Sequence, residues 1–410
     1  MNMFQRRSVR ILVVFATIST ASLSQQWNPQ STPTTQQIKG LFMINEMVGW
    51  ACGDAGVLLN TVDGGQTVWN QMNLTGSDLH AITFGNDQSG VVVGDNGIIF
   101  QSNNGGATWN PVVSNTSSQL RSVDWGDVTT VWAAGRDGAV VKSMNGGMTW
   151  LAVNPPSSER FRGISAVGSD KAWVVGDNGE IWYTANGGNN WTQQFGPTND
   201  DLHDVQFLND LIGFACGSGS NVIYTNNAGQ NWISRSTGIV VGLNGLFFLD
   251  EKTGWLVGEA GAIYSTVNGG VNWTAEQSGA VQSLNEIYFV NSKNGWTGGD
   301  VGTILHFTVP TALNESVNDQ FAGSFYLVQN YPNPFNPSTN IGFYVSEPQA
   351  VVRLTVHNIL GEEIQKIADR IYNGGFHLVT FNAEELPGGI YYYRLQAGQR
   401  TQTRMMTLLK

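Results

Sequence analysis

Apolar residues come in short runs along most of the chain, and the runs return at a fixed interval. From Gly53, which closes Trp-Ala-Cys-Gly, steps of 41 residues reach Gly94, Gly135, Gly176, Gly217, Gly258 and Gly299. Three residues beyond these lie Gly56, Gly97, Gly138, Gly179, Gly261 and Gly302, with Ser220 in the remaining place. Upstream, Ile38, Leu79, Leu120, Phe161, Leu202, Leu243 and Leu284 keep the same period. Seven copies with almost no insertions form an internal repeat, and such a repeat decides the architecture.

Each unit predicts four strands. Strand A follows Leu-x-x-Ile/Val-x-Phe, as from Leu202 to Phe207, and strand B is aromatic-x-Val-Gly, as from Trp173 to Gly176. A Gly-Asp-x-Gly turn leads to strand C, as from Ile181 to Thr184, and an Asn-Gly-Gly turn leads to strand D at a Trp such as Trp191. Gly and Asn accept the positive φ that tight hairpin turns require. Four short antiparallel strands per unit describe a propeller blade.

The strand D tryptophans Trp109, Trp150, Trp191, Trp232 and Trp273 are again 41 apart, and Trp69 is one residue late through Val68. The seventh unit has Asn314 where its Trp belongs, whereas two periods before Trp109 stands Trp27. The strand around Trp27 is therefore expected to complete the last blade, which removes an open edge. The expected fold class is all-β: a seven-bladed propeller closed by an N-terminal strand.

The repeat stops near Thr308 and a polar linker follows. From Tyr326 alternating apolar runs separated by Gly and Pro turns predict a small Ig-like β-sandwich. They include Tyr331-Pro-Asn-Pro-Phe-Asn-Pro, Leu360-Gly-Glu-Glu-Ile364, Leu386-Pro-Gly-Gly-Ile390 and a final Leu-Leu-Lys410. At the other end, Arg6, Arg7 and Arg10 precede an apolar run from Ile11 to Leu23, closed by small residues. That is the pattern of a secretory signal peptide. The expected boundaries are 1–24 for the signal peptide, 25–308 for the propeller, 309–325 for the linker and 326–410 for the C-terminal module.

Composition agrees with many short strands: 50 Gly and 14 Trp in 410 residues, with only 12% charged. Residues 25–310 carry 10 Lys and Arg against 23 Asp and Glu. That balance repels phosphate backbones and anionic lipid, so nucleic-acid and membrane-surface partners are not expected. No apolar stretch after the signal segment is long enough to span a membrane.

The turns before strand D read Thr61-Val-Asp63-Gly-Gly, Ser102-Asn-Asn104-Gly-Gly, Ser143-Met-Asn145-Gly-Gly, Thr184-Ala-Asn186-Gly-Gly and Thr266-Val-Asn268-Gly-Gly. These resemble the Asp-box, or BNR, repeat of sialidase-like propellers. With the Gly-Asp-x-Gly turns they look most like the photosystem II assembly-factor type of propeller, over about residues 26–308. Only Asp63 keeps the box Asp, yet Asn can make the same bonds to the backbone. The resemblance thus implies fold and not activity. The C-terminal module resembles the type A sorting domain of the type IX secretion system. The matching residues are Pro332, Asn333, Pro334, Phe335, Asn336, Pro337, Gly361, Gly389 and Lys410, and the likeness implies handling by that machinery.

Candidate chemistry is sparse. There is no arginine motif of the sialidase kind, no His/Cys cluster with metal-ligand spacing and no phosphate loop, so no catalytic residue, metal or cofactor is expected. Cys52 and Cys216 occupy one strand B position four repeats apart, beyond the reach of a disulfide. The repeated candidates are Asp54, Asp95, Asp177, Glu259 and Asp300, with Arg136 and Ser218 breaking the series. Two readings stand side by side: a ring that binds a cationic or hydroxyl-rich ligand, and plain turn chemistry, since Asp before x-Gly favours a tight turn. The B–C turns share a face with the irregular D–A loops, where variation between repeats is greatest, so a protein or glycan ligand is expected there. The leading expectation is a secreted or cell-surface, non-catalytic binding propeller. The alternative is a BNR-type glycan hydrolase, which would need paired carboxylates across a cleft.

Overall fold

The computed structural model describes residues 26–235, 238–309, 325–327, 330, 333–345, 347, 349–373 and 375–409. The expected signal peptide, nearly all of the linker, Pro332 and Lys410 lie outside them.

Residues 26–308 form seven four-stranded antiparallel sheets. In each of the first six the strands run A-B-C-D in chain order, as in Leu202–Phe207, Gly213–Gly217, Val222–Thr225 and Ile233–Ser234. In the seventh, Leu284–Asn291, Asn294–Gly299 and Ile304–Thr308 are joined by Gln26–Pro29, with Trp27 opposite Phe307. Strand D elsewhere begins one residue after its Trp, as at Thr192–Gln194.

Strand B explains why the sheets stack. All five residues of Gly213–Gly217 are buried, because alternate side chains face the two neighbouring blades. Trp173 and Val175 pack on the blade that follows, while Ala172 and Val174 pack on the blade before. The core is thus a series of layers between blades. Strand B aromatics stack on the strand A Phe of the next blade: Trp173 on Phe207 at 3.6 Å, Phe214 on Phe248 at 3.7 Å, and Trp255 on Phe289 at 3.6 Å. Such contacts add roughly 0.5–1.5 kcal/mol each beyond area burial.

The Asp-box turns hold as the sequence implied. The Ser102 hydroxyl accepts Gly106 N–H at 2.8 Å, and Asn104 Oδ1 accepts Thr108 N–H at 3.0 Å. Asp63 makes the same bond to Thr67 N–H at 3.0 Å. Cys52 and Cys216 are buried free thiols, and burial pushes both well above the usual range.

The C-terminal module has a three-stranded sheet (Phe325–Leu327, Ser338–Val345, Gly375–Asn382) and a four-stranded one (Glu363–Tyr372, Ala350–His357, Gly389–Ala397, Arg400–Leu408). Leu327, Ile341, Phe343, Leu354, Tyr393 and Leu395 are among the side chains that fill the core between them. Of the sorting-motif residues, Phe335 is buried and pairs with the last strand through Thr407 and Leu409. Asn333 Oδ1 accepts Thr407 N–H at 2.7 Å, Pro337 O accepts Ala383 N–H at 2.9 Å, Gly361 turns a hairpin at φ +81°, and Gly389 opens a strand. Pro334 and Asn336 flank Phe335 in this segment.

Candidate functional site

Strand A lines the central channel, and its second residue sits at a β-bulge in every blade. A bulge re-aims the extra residue away from the ladder. The seven bulge residues are Lys39, His80, Arg121, Arg162, His203, Asn244 and Asn285, and every one of them carries a side-chain N–H donor. Steps of 41 from Lys39 trace this ring in the sequence, but its residue types vary among Lys, His, Arg and Asn, so only the shared position marks it.

The B–C turn residue lies fifteen positions further on, and the two rings meet. Lys39 pairs with Asp54 and, at 2.9 Å, with Asp78. His80 Nε2 lies 2.7 Å from Asp95, which also accepts from Gln119. Arg162 bonds Asp177 at 2.5 Å and Asp201 at 2.9 Å. His203 reaches Ser218 at 3.2 Å, and Asn285 Nδ2 donates to Asp300 at 3.1 Å beside Gln37 Nε2 at 2.6 Å. Glu259 accepts Gly242 N–H at 3.3 Å. The acids are therefore not a free acidic rim; all but Glu259 are engaged by side-chain donors.

Electrostatics follow from this. Partial burial works to raise Asp95, but the bonds from Gln119 and His80 outweigh it and hold the carboxyl below its ordinary value. Burial depresses His80 and His203, which keeps both neutral near pH 7. Two turns lack an acid: Ser218 stands in blade 5, and in blade 3 Arg136 does, so that among the described residues Arg121 has no carboxylate partner and donates to Gln119 Oε1 at 2.9 Å. Burial and the neighbouring Arg162, Arg160 and Arg136 push Arg121 down to about 10. One sector of the face is thus basic, and it could receive an anion.

Inside the channel the bridging is polar. Adjacent inner strands do not share a backbone ladder. Instead, side chains accept N–H groups of the next blade: Ser122 from Ile164 at 3.2 Å, Asp124 from Ala166 at 2.8 Å, Ser165 from Phe207 at 2.9 Å, Asp204 from Leu246 at 2.9 Å and Gln206 from Phe248 at 2.7 Å. Burial raises Asp124 to about 7 despite bonds from Ala166 and Trp125. Asp204 and Glu286 are raised by burial and, for Glu286, by the charge of Asp204. In the sequence Asp204 and Glu286 share one repeat position two periods apart, but Gly40, Ala81, Ser122, Gly163 and Gly245 fill it in the other blades and Asp124 stands alone at its own, so no acidic series announces them. Among the described residues no group of three or more His, Cys, Asp and Glu is placed to hold a metal ion.

Two family models match separate stretches of the chain: the photosynthesis system II assembly factor YCF48 over residues 67–198, and the secretion system C-terminal sorting domain over residues 329–408. Among solved structures, YCF48 bound to D1 peptide is 22% identical with a TM-score of 0.60, covering 69% of this chain and 97% of that one. YCF48 from Cyanidioschyzon merolae is 18% identical with a TM-score of 0.58, covering 69% and 98%. The WD40 β-propeller domain of Doa1 is 10% identical with a TM-score of 0.61, covering 71% and 98%. No curated protein matches the chain. At these identities the structural likeness speaks for fold alone. The chain is an all-β protein whose propeller repeats are similar to those of the YCF48 family and whose C-terminal module is similar to the secretion-system sorting domain.

Proposed function

We propose that the protein is a non-catalytic binding propeller, exported by the type IX secretion system to the cell surface or medium, with a polypeptide partner docking on the B–C turn face. The division into signal peptide 1–24, propeller 25–308, linker 309–325 and sorting domain 326–410 belongs to this reading. The face bears Asp54, Asp95, Arg136, Asp177, Glu259 and Asp300. Its acids other than Glu259 are engaged by side-chain donors, so the positive charge left to offer is at Arg121 and Arg136. The observation that carries the proposal is the exchange of acid for Arg136, which leaves Arg121 without a carboxylate. Arginine offers paired N–H groups that suit a carboxylate. The similar propeller whose title names a bound D1 peptide supports a peptide as the class of partner.

The hydrolase alternative is less well supported. It needs two carboxylates free to act on a glycosidic bond. Asp124 and Asp204 each use both oxygens to accept backbone N–H groups.

The test uses the full protein and a fluorescent acidic peptide with a free C-terminal carboxylate, against the same peptide amidated. Binding followed by anisotropy should weaken at least five-fold on amidation or with Arg121→Gln plus Arg136→Gln, and should fall with salt. Equal binding of both peptides to the parent and the folded double variant overturns the proposal.

A further inference from the structure

The other mouth of the channel, on the side of the A–B loops, opens into a cavity of about 590 Å³. That volume lies in the range of small-molecule sites. Its walls are of two kinds. Phe42, Phe247 and Tyr288, from blades 1, 6 and 7, form a contiguous aromatic arc with Tyr288 ring centroids 4.6 Å from Phe42 and 4.9 Å from Phe247. The remaining lining includes Asp124, Asp127, Asp204 and Glu286, and none of the lining residues is Lys, Arg or His. The cations of the bulge ring line a separate space at the opposite mouth, which Asp204 and Glu286 at the waist also border but Asp124 does not.

We propose that this cavity is a second binding site, distinct from the B–C face, for an organic cation: an alkylammonium head on an apolar stem.

Bridging between blades does not explain the carboxylates. Ser122, Ser165 and Gln206 accept the same kind of N–H from the next blade without charge. Asp124 and Asp204 therefore carry more charge than bridging requires, and among the described residues Glu286 accepts from the adjacent Ile287 alone, at 3.1 Å. Carboxylates drawn from water without a counter-ion are costly. A cation entering the bore supplies that counter-ion. The aromatic arc complements it twice, because ring faces attract a cation and also cover its apolar stem. At the waist, Asp204 and Glu286 sit amid small residues such as Gly40, Ala81 and Ser122, so the head can reach them.

The test is calorimetric titration of the full protein near pH 8 with 1,5-diaminopentane, its diol and dicarboxylate counterparts, and N-acetyl-lysine methylamide. The diamine and the lysine derivative should bind at least ten-fold more tightly than the diol, and the dicarboxylate should not bind. The tighter of the two amines tells a free amine from a protein side chain. Asp124→Asn should lose ten-fold or more. If that variant fails to fold, Glu286→Gln and Tyr288→Ala serve, each expected to weaken the amine several-fold in a protein that still melts in a single cooperative transition. Equal binding of diol and diamine, no amine binding at millimolar concentrations, or full affinity in folded Glu286→Gln and Tyr288→Ala would overturn the site.

Discussion

Trp27 donates its indole N–H to the Glu276 carboxylate at 2.6 Å, across 249 residues of sequence. The bond repeats at other seams between blades: Trp69 donates to Gln30 at 2.8 Å and Trp232 to Gln194 at 3.2 Å. Trp191 reaches back in the same way, to Val153 O at 2.7 Å, whereas Trp150 donates to Gly147 O within its own turn. The N-terminal strand takes part on both sides, through Trp27 and Gln30.

Closure should accordingly be energetic as well as topological. Trp27 is buried against Phe289 and Phe307. Trp27→Ala is expected to cost about 3–5 kcal/mol, read as a lowered urea midpoint. Deletion of residues 25–36 should destabilise the whole ring. An unchanged melting temperature after the deletion would show that the strand is dispensable.

The Asp-box turns invite a paired measurement. Asp63→Asn should cost less than about 1 kcal/mol, because Asn104 and Asn145 hold equivalent threonines at 2.9 Å in their own turns. Thr61→Ala should cost more, about 1–3 kcal/mol, because it removes both the hydroxyl's donation to Asp63 Oδ1 at 2.8 Å and its acceptance from Gly65 N–H at 2.8 Å, leaving Gly65 only the 3.0 Å bond to Asp63 Oδ1. Chemical denaturation of both variants decides the order. The reverse order would mean that the Asp63 charge matters beyond its hydrogen bonds.

The blades were legible because they repeat: a Gly at Gly53 and six more at its spacing declare turns before any side chain is placed. Closure was legible from one missing Trp. The acidic turn series was legible as well, but its engagement was not. Knowing that Asp54 meets Lys39 requires the bulge that rotates Lys39 out of the ladder. The bore acids were invisible for a different reason. Asp124 aligns with Phe42, Thr83, Ser165, Gln206, Phe247 and Tyr288 in other blades, and a set so varied carries no periodic signature.

Export offers a clean contrast. In a host with the type IX system, the full chain should reach the medium or surface, while a chain ending at residue 325 should remain in the periplasm. Phe335→Ala should show a partial defect, since Phe335 ties the motif segment to the final strand through Thr407. Fractionation with immunoblotting measures all three. Normal release of the truncated chain would refute the sorting role.

The bore acids also set a pH dependence whose sign can be worked out. Burial first of all raises Asp124, to about 7 from an ordinary 3.8. Between those values the folded protein keeps a proton that the unfolded chain has released. Stability from this group is therefore full below about pH 4 and declines as pH rises toward 7, with a slope approaching ~1.4 kcal/mol per pH interval at most. Depressed histidines act in the opposite direction: His306, pushed down to about 4 by burial, loses stability as pH falls below 6.5. A variant comparison separates the two, since the histidines are common to both proteins. Asp124→Asn should come closest to the parent in urea midpoint near pH 3.5, where Asp124 is largely protonated folded and unfolded, and should exceed it increasingly toward pH 8. Were the Asn variant less stable at pH 8 by the same margin as at pH 3.5, Asp124 would not carry a buried charge at neutral pH. Adding 1,5-diaminopentane at pH 8 should then stabilise the parent more than the variant, because the variant keeps Asp204 and Glu286 but has lost the carboxylate of Asp124.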